Sequence, residues 1–189
     1  MKISALVASL AVAGSAVAAP PAGSKPFGIM SLRSASPIHF GQVSAAHGSI
    51  RINQQNQDAV CKVKHGEKPP TTATFYIKDE ILYLYTGKGL IQKVFTDRSG
   101  FGQGVTGYLT GDGPLPNRFE DKGWMVDGNG NLSFKGQGLL ACPTSVPGGG
   151  WSIWISGNNP NPGGHTGCLG FSPRTVPLKH PVRCEYSQQ

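Results

Sequence analysis

Histidine, paired carboxylates and arginine are where any catalysis in this chain would have to start. The histidines are His39, His47, His65, His165 and His180. Hydrolysis by acid–base chemistry needs two carboxyl groups working together, and nucleophilic catalysis needs a hydroxyl or thiol beside a histidine base. His65 and His180 neighbour lysine and proline in apparent loops, a setting for solvated side chains. His39 lies in Ser36-Pro37-Ile38-His39-Phe40, between two apolar residues spaced as in a strand. That alternation turns it outward and makes it a candidate for lining a ligand groove, although a strand histidine satisfied by its neighbours is the commoner case. No G-x-S-x-G nucleophile elbow is present.

The most compact polar run is Asp97-Arg98-Ser99-Gly100-Phe101-Gly102-Gln103-Gly104. Its glycines lack the strand and helix that flank a phosphate loop. A tight bulge or an Asp97–Arg98 surface pair accounts for them better, and both residues remain candidates for ligand contact. A ribonuclease would need a histidine, a carboxylate and an arginine around one phosphate, and nothing in the spacing gathers such a trio. Tyr83, Tyr85 and Trp154, outward on their strands, are candidates for a sugar-stacking platform. Burial under a second sheet or a barrel cap is the competing outcome. No motif calls for a metal or an organic cofactor.

These residues must be positioned outside the cell. Lys2, an apolar run over 3–13 and the cleavage-like Ala16-Val17-Ala18 form a signal peptide over residues 1–18, with Pro20 and Pro21 just beyond. The run is too short to span a bilayer, and no later segment approaches about 18 consecutive apolar residues, so no membrane partner is expected. Residues 19–26 are expected to be a flexible tail and 27–189 a single all-β domain. Cys61, Cys142, Cys168 and Cys184, an even number in an oxidising compartment, predict two disulfides with three connectivities open. Their separations of 81, 26 and 16 exclude C-x-x-C, and three of the four are expected to pin a loop-heavy C-terminal region. Asn131-Leu132-Ser133 is a glycosylation sequon at the end of a Gly-Asn-Gly turn, where an oligosaccharyltransferase could reach it. The end of the chain carries no apolar tail for a lipid anchor.

With 27 glycines and 15 prolines, the chain favours turns over long helices. Period-2 alternation is plentiful: Phe75 and Ile77, Leu82 and Leu84 after an Asp79-Glu80 turn, Trp124 and Val126, Leu132 and Phe134, Trp151, Ile153 and Ile155. Phe27 and Ile29, Ile38 and Phe40, and Ile50 and Ile52 behave alike. Aromatic residues open hairpins at Phe27, Phe75 and Trp124, at separations of 48 and 49. Three such units predict a β-trefoil-like pseudo-threefold barrel of short antiparallel strands, with an antiparallel β-sandwich as the alternative.

Loss of Lys2 with the leader takes the formal charge from +7 to +6, a modest basic excess that favours polyanions such as acidic polysaccharide or phosphorylated glycan, although charges this dispersed more commonly serve colloidal solubility. Lys62, Lys64 and Lys68 are its densest patch, interrupted by Glu67. That patch is too thin to predict a nucleic-acid partner.

Taken in order, Thr74-Phe75-Tyr76-Ile77, Leu82-Tyr83-Leu84-Tyr85, the run from Asp97 to Gly104, Leu139-Leu140-Ala141-Cys142-Pro143 and Trp151-Ser152-Ile153-Trp154 resemble the PhiA-type cell wall proteins of filamentous fungi, secreted proteins also described as IgE-binding. Phe27-Gly28-Ile29 and Ser36-Pro37-Ile38-His39 extend the likeness across the mature chain. The resemblance implies an extracellular or wall-associated protein that takes part in forming phialides and asexual spores. It brings no catalytic residues to carry over, and no cofactor. The expected function is therefore a non-enzymatic cell wall protein in contact with wall polysaccharide, ahead of a lectin-like module and a small hydrolase or ribonuclease.

Overall fold

A computed structural model describes residues 25–87 and 89–188. The expected leader at 1–18 and most of the tail at 19–26 lie outside the described residues. The strands are β1 Phe27–Leu32, β2 Val43–Ala46, β3 Ser49–Ile52, β4 Ala59–Cys61, β5 Phe75–Lys78, β6 Ile81–Leu84, β7 Gln92–Asp97 and β8 Val105–Thr110. They continue as β9 Phe119–Glu120, β10 Trp124–Val126, β11 Leu132–Phe134, β12 Leu139–Pro143, β13 Trp151–Ile155, β14 Leu169–Pro177 and β15 Cys184–Tyr186. One 3-10 turn, Pro162–Gly164, is the only helical element among the described residues.

Eight of these strands close on themselves. From β8 the pairing runs through β13, β12, β14, β1, β5, β6 and β7, and β7 pairs with β8 again over its whole length. Every pair is antiparallel. An eight-stranded barrel is just wide enough for side chains to fill it. Here the filling is Phe75, Leu82, Leu84, Val94, Ile153 and Ile155, all buried. The β2–β3 hairpin is wedged where β8 and β13 diverge: Ile52 pairs with Trp151 and Ser49 with Gly107, while Trp154 pairs with Val105. The β10–β11 ribbon bridges to β14 at Asn131 and Arg174, and its Trp124, Leu132 and Phe134 join the same core. The ribbon of β4 and β15 is a separate sheet by pairing, but its Cys184 and Tyr186 join the same core.

The all-β, barrel-like expectation holds. The three aromatic-led hairpins are not equivalent, however. Phe27 pairs directly with Phe75, so two of the supposed repeat units open on adjacent strands. Trp124 opens a ribbon outside the large sheet. The spacing of 48 and 49 therefore does not correspond to a threefold repeat of strand pairing.

Local rules explain most elements. Three two-residue hairpin loops have both central residues at positive φ, the geometry that matches strand twist: His47-Gly48, Asp79-Glu80 and Lys135-Gly136. Residues 33–41, by contrast, form turns in place of the strand expected at Ile38–Phe40. Phe40 has φ of 59° and its N–H returns to the Ser31 carbonyl, which breaks the alternation. The C-terminal third holds the longest strand, β14, despite Pro173 and Pro177. Thr175 directs its N–H away from β1 to Gly130, and the two prolines, two positions either side, leave their missing N–H groups on that same side.

Candidate functional site

The β5–β6 hairpin turns Phe75, Leu82 and Leu84 into the barrel, so Tyr76, Tyr83 and Tyr85 face outward. Tyr76 and Tyr83 are direct cross-strand partners and stack with ring centroids 5.1 Å apart. Tyr85 meets Tyr76 edge-on at 6.3 Å. Burial raises the Tyr76 and Tyr83 hydroxyls above their ordinary pKa, with Tyr85 adding to the first and Tyr76 and Asp121 to the second. Tyr85 is buried, because Arg183 lies over its ring at 5.4 Å. On the other flank Lys93, the cross-strand partner of Tyr83, reaches Asp121 at 3.6 Å and Asp112 at 3.7 Å. The outcome is a tyrosine strip with a cation at each end, one neutralised by two carboxylates.

Trp154 does not belong to this strip. It is 6% exposed, its indole N–H donates to Ser152 Oγ at 2.8 Å, Gly163 presses on its ring, and His165 sits edge-on at 5.4 Å. The expected three-residue platform thus resolves into two outward tyrosines joined by Tyr76, and a tryptophan packed under the 158–165 loop. Tyr76 was legible as an outward residue from the same alternation that exposed Tyr83.

Asp97 and Arg98 are adjacent in sequence and serve different partners. Asp97 Oδ1 accepts the Ser99 N–H at 2.8 Å, and a Cβ on Gly102 would collide with the Asp97 side chain, so the glycine is required for the turn to close. Arg98 donates to Gln137 Oε1 at 2.6 Å and approaches Glu120 at 3.5 Å, lying over the Phe134 ring. No Asp97–Arg98 pair forms. Gln103, from the same run, ties the loop to Asn159 and to the Gly163 N–H. His39 is half-buried in its turn: Nδ1 accepts the Arg33 N–H at 3.1 Å and the ring rests on Phe40 at 3.9 Å.

Both disulfides are present, Cys61–Cys184 and Cys142–Cys168. The first spans 123 residues and fastens β15 to β4, so the cysteines do more than pin the C-terminal third. Asn131 is half-buried, its side-chain oxygen accepting from Arg174 Nε at 3.0 Å. Asp127, held below the ordinary carboxylate range chiefly by the Asn131 N–H, closes the turn that presents the sequon.

An open depression of about 280 Å³ lies beside the β4–β15 ribbon, lined by Asp58, Val60, Gln92, Glu185, Tyr186 and Gln188 among others. His47, 3.8 Å from Asp58, is a hairpin-turn residue, and both side chains are largely exposed. Among the described residues, no three His, Cys, Asp or Glu converge as a metal site would require.

The sequence comparisons decide the family. A model described as PhiA-like secreted protein matches residues 27–187, the whole closed barrel and its C-terminal ribbon. The chain belongs to the PhiA-like family of secreted proteins. It is 48% identical to the cell wall protein phiA of Arthroderma benhamiae over 99% of this chain and 100% of that protein. It is 42% identical to the cell wall protein phiA of Aspergillus fumigatus over 97% and 96%, and 38% identical to that of Aspergillus niger over 99% of each. No solved structure matches. As a member of the PhiA-like family, the chain is a secreted fungal cell wall protein.

Proposed function

We propose that this PhiA-like chain works without catalysis, as an exported barrel retained in the wall by contact with polysaccharide, and that it contributes to phialide development and conidiation. Its family membership over residues 27–187 carries the reading. The disposition of polar side chains supports it. Asp97, Arg98 and His39, the groups best suited by sequence to chemistry, are committed to structural bonds, Asp97 and His39 within their own turns and Arg98 across to Gln137 and Glu120. On this reading, residues 1–18 are removed during export and Asn131 carries a glycan added before the turn closes on Arg174.

The test is fractionation of hyphal cultures with antibody to the chain, together with conidial counts in a deletion strain. The reading expects the protein in wall extracts and medium, without residues 1–18, shortened in apparent mass by glycosidase, and fewer phialides in the deletion. Protein confined to cytosol, or normal sporulation without it, overturns the proposal.

A lectin-like reading is favoured by one observation, the half-exposed Tyr76–Tyr83 stack. It is separated from simple retention by whether isolated glycans bind the protein in solution.

A further inference from the structure

The densest cationic run in the sequence, at 62–68, gains a second cationic segment at 179–183 that no sequence reading would place beside it. Cys61 bonds to Cys184, and the Lys62 N–H donates to the Arg183 carbonyl at 2.8 Å. Both side chains then lean toward the tyrosine strip. Arg183 covers Tyr85, and Lys62 brings its ammonium beside Gly87, two residues further on. Lys64 and Lys68 lie on one segment, Lys179 and His180 on the other. Among the described residues, none of Lys62, Lys64, Lys68, Lys179 or Arg183 has a carboxylate within 4.0 Å, whereas Lys93, Arg98, Lys122 and Lys135 all do.

The acidic groups of this region are accounted for. Glu67 bonds back to the Lys64 N–H, Asp58 faces His47, and Glu185 projects from β15 beside the depression. Seven of the ten carboxylates lie between Asp79 and Asp127, around the Lys93 end of the strip and beyond. The strip therefore has one end whose cation is neutralised and one end whose cations are free to take an anion.

We propose that Lys62 and Arg183, with Tyr76 and then Tyr83 further along the same strip, form a binding site for an acidic polysaccharide, one carrying phosphate or carboxylate on its sugars. This rests on the polysaccharide-contact reading above and names the polymer's chemistry. The guanidinium of Arg183, which lies over the Tyr85 ring, offers a fork to a phosphate or carboxylate, and Lys62 adds a point charge. The half-exposed tyrosines give apolar ring surface to the adjoining pyranose. A nucleic acid would satisfy the same charges, but with Tyr85 buried and Tyr76 stacked on Tyr83 the strip presents no series of separate rings for successive bases, whereas one pyranose needs only the exposed part of a single ring.

The mature secreted chain is titrated with phosphomannan, polygalacturonate, neutral mannan, neutral β-glucan and single-stranded RNA, each at several salt concentrations. The variants are K62Q, R183Q, the double variant, and K122Q as a control on the acidic side, with near-UV circular dichroism to confirm folding. Binding to the acidic polymers should weaken with salt, fall about tenfold in the double variant and stay unchanged in K122Q. The slope against log salt should drop by about 2 in the double variant. R183K, which keeps charge and loses the fork, should fall between wild type and R183Q. Neutral glycans bound as tightly as acidic ones, and indifferent to K62Q and R183Q, would overturn this site while leaving polysaccharide contact standing. No binding to any glycan would remove both, and preferential binding of RNA would replace the partner.

Discussion

Removing the Cys61–Cys184 bridge should cost more than removing Cys142–Cys168, although both join strands that already pair or adjoin within the folded protein. A cross-link acts largely by depriving the unfolded chain of loop entropy, so the enclosed length sets the scale. With 123 residues between Cys61 and Cys184 the loss is about 4.9 kcal/mol, and with 26 between Cys142 and Cys168 it is about 3.5 kcal/mol. The local packing cost nearly cancels in the comparison, because each bridge has one fully buried sulfur, on Cys184 and Cys142, and one half-buried. The difference of about 1.4 kcal/mol is a tenfold change in the folding equilibrium. In a domain of this size C61A/C184A should lower Tm by about 10–20 °C. The measurement is urea and thermal unfolding of the two double variants, followed by circular dichroism at 218 nm and by tryptophan fluorescence, with Trp124 buried in the core as the reporter. Gln92 should hold β15 in place in the variant, since its amide exchanges two hydrogen bonds with Tyr186 at 2.7 and 3.1 Å. The native spectrum should therefore survive below the transition. Coincident melting of the two variants, or a larger loss in C142A/C168A, would refute chain entropy as what these bridges contribute.

Three other outcomes follow from the geometry. Glu80 sits at φ of 63° in a two-residue turn that favours glycine, so E80G should raise stability by about 0.5–1 kcal/mol in urea melts, the exposed Lys122 pair being worth less. At Gly150 φ is 65° and a Cβ would meet the Ile52 carbonyl, backbone on a paired strand, so G150A should cost about 3 kcal/mol or more. Tyr108 and Tyr186 are pushed up to about 12, chiefly by burial. The folded state then holds both protons more tightly than the unfolded chain. The stabilisation is complete below pH 10 and is lost as pH rises toward 12, by roughly 2–3 kcal/mol for each tyrosine. Y186F should remove about half of that alkaline slope, and cost about 1–3 kcal/mol at neutral pH because the Thr74 N–H loses its acceptor.

The strands that the sequence displayed are those with one wet face. Phe75, Ile77, Leu82 and Leu84 alternate cleanly because the outer side of their hairpin is partly open. β7 was hidden for the opposite reason. Phe119 of β9 stacks on Phe95 at 4.5 Å, while Asp112 and Asp121 close over Lys93. Its six residues thus read Gln-Lys-Val-Phe-Thr-Asp with no period, though four are buried. β14 was masked by its prolines, whose tolerance depends on which edge faces Gly130, a tertiary fact. At the tyrosine strip, Tyr83 and Tyr85 followed from alternation alone. Arg183 did not, because its arrival over Tyr85 depends on the pairing of Cys61 with Cys184, one of three connectivities that spacing could not rank. Trp154 misled because outward position and exposure are different things when a glycine-rich loop folds back across the strand.

The return of β7 to β8 bears on life in a crowded matrix. A sheet with two open ends offers each neighbour a backbone on which to add another strand, and packed copies would tend to grow into fibres. Here the main circuit has no such ends. Of the two flanking strands, β9 is only two residues long, and the Val43 carbonyl of β2 already accepts from Ala73. Molecules concentrated in a wall would accordingly touch through side chains, with no strand of one extending the main sheet of the next.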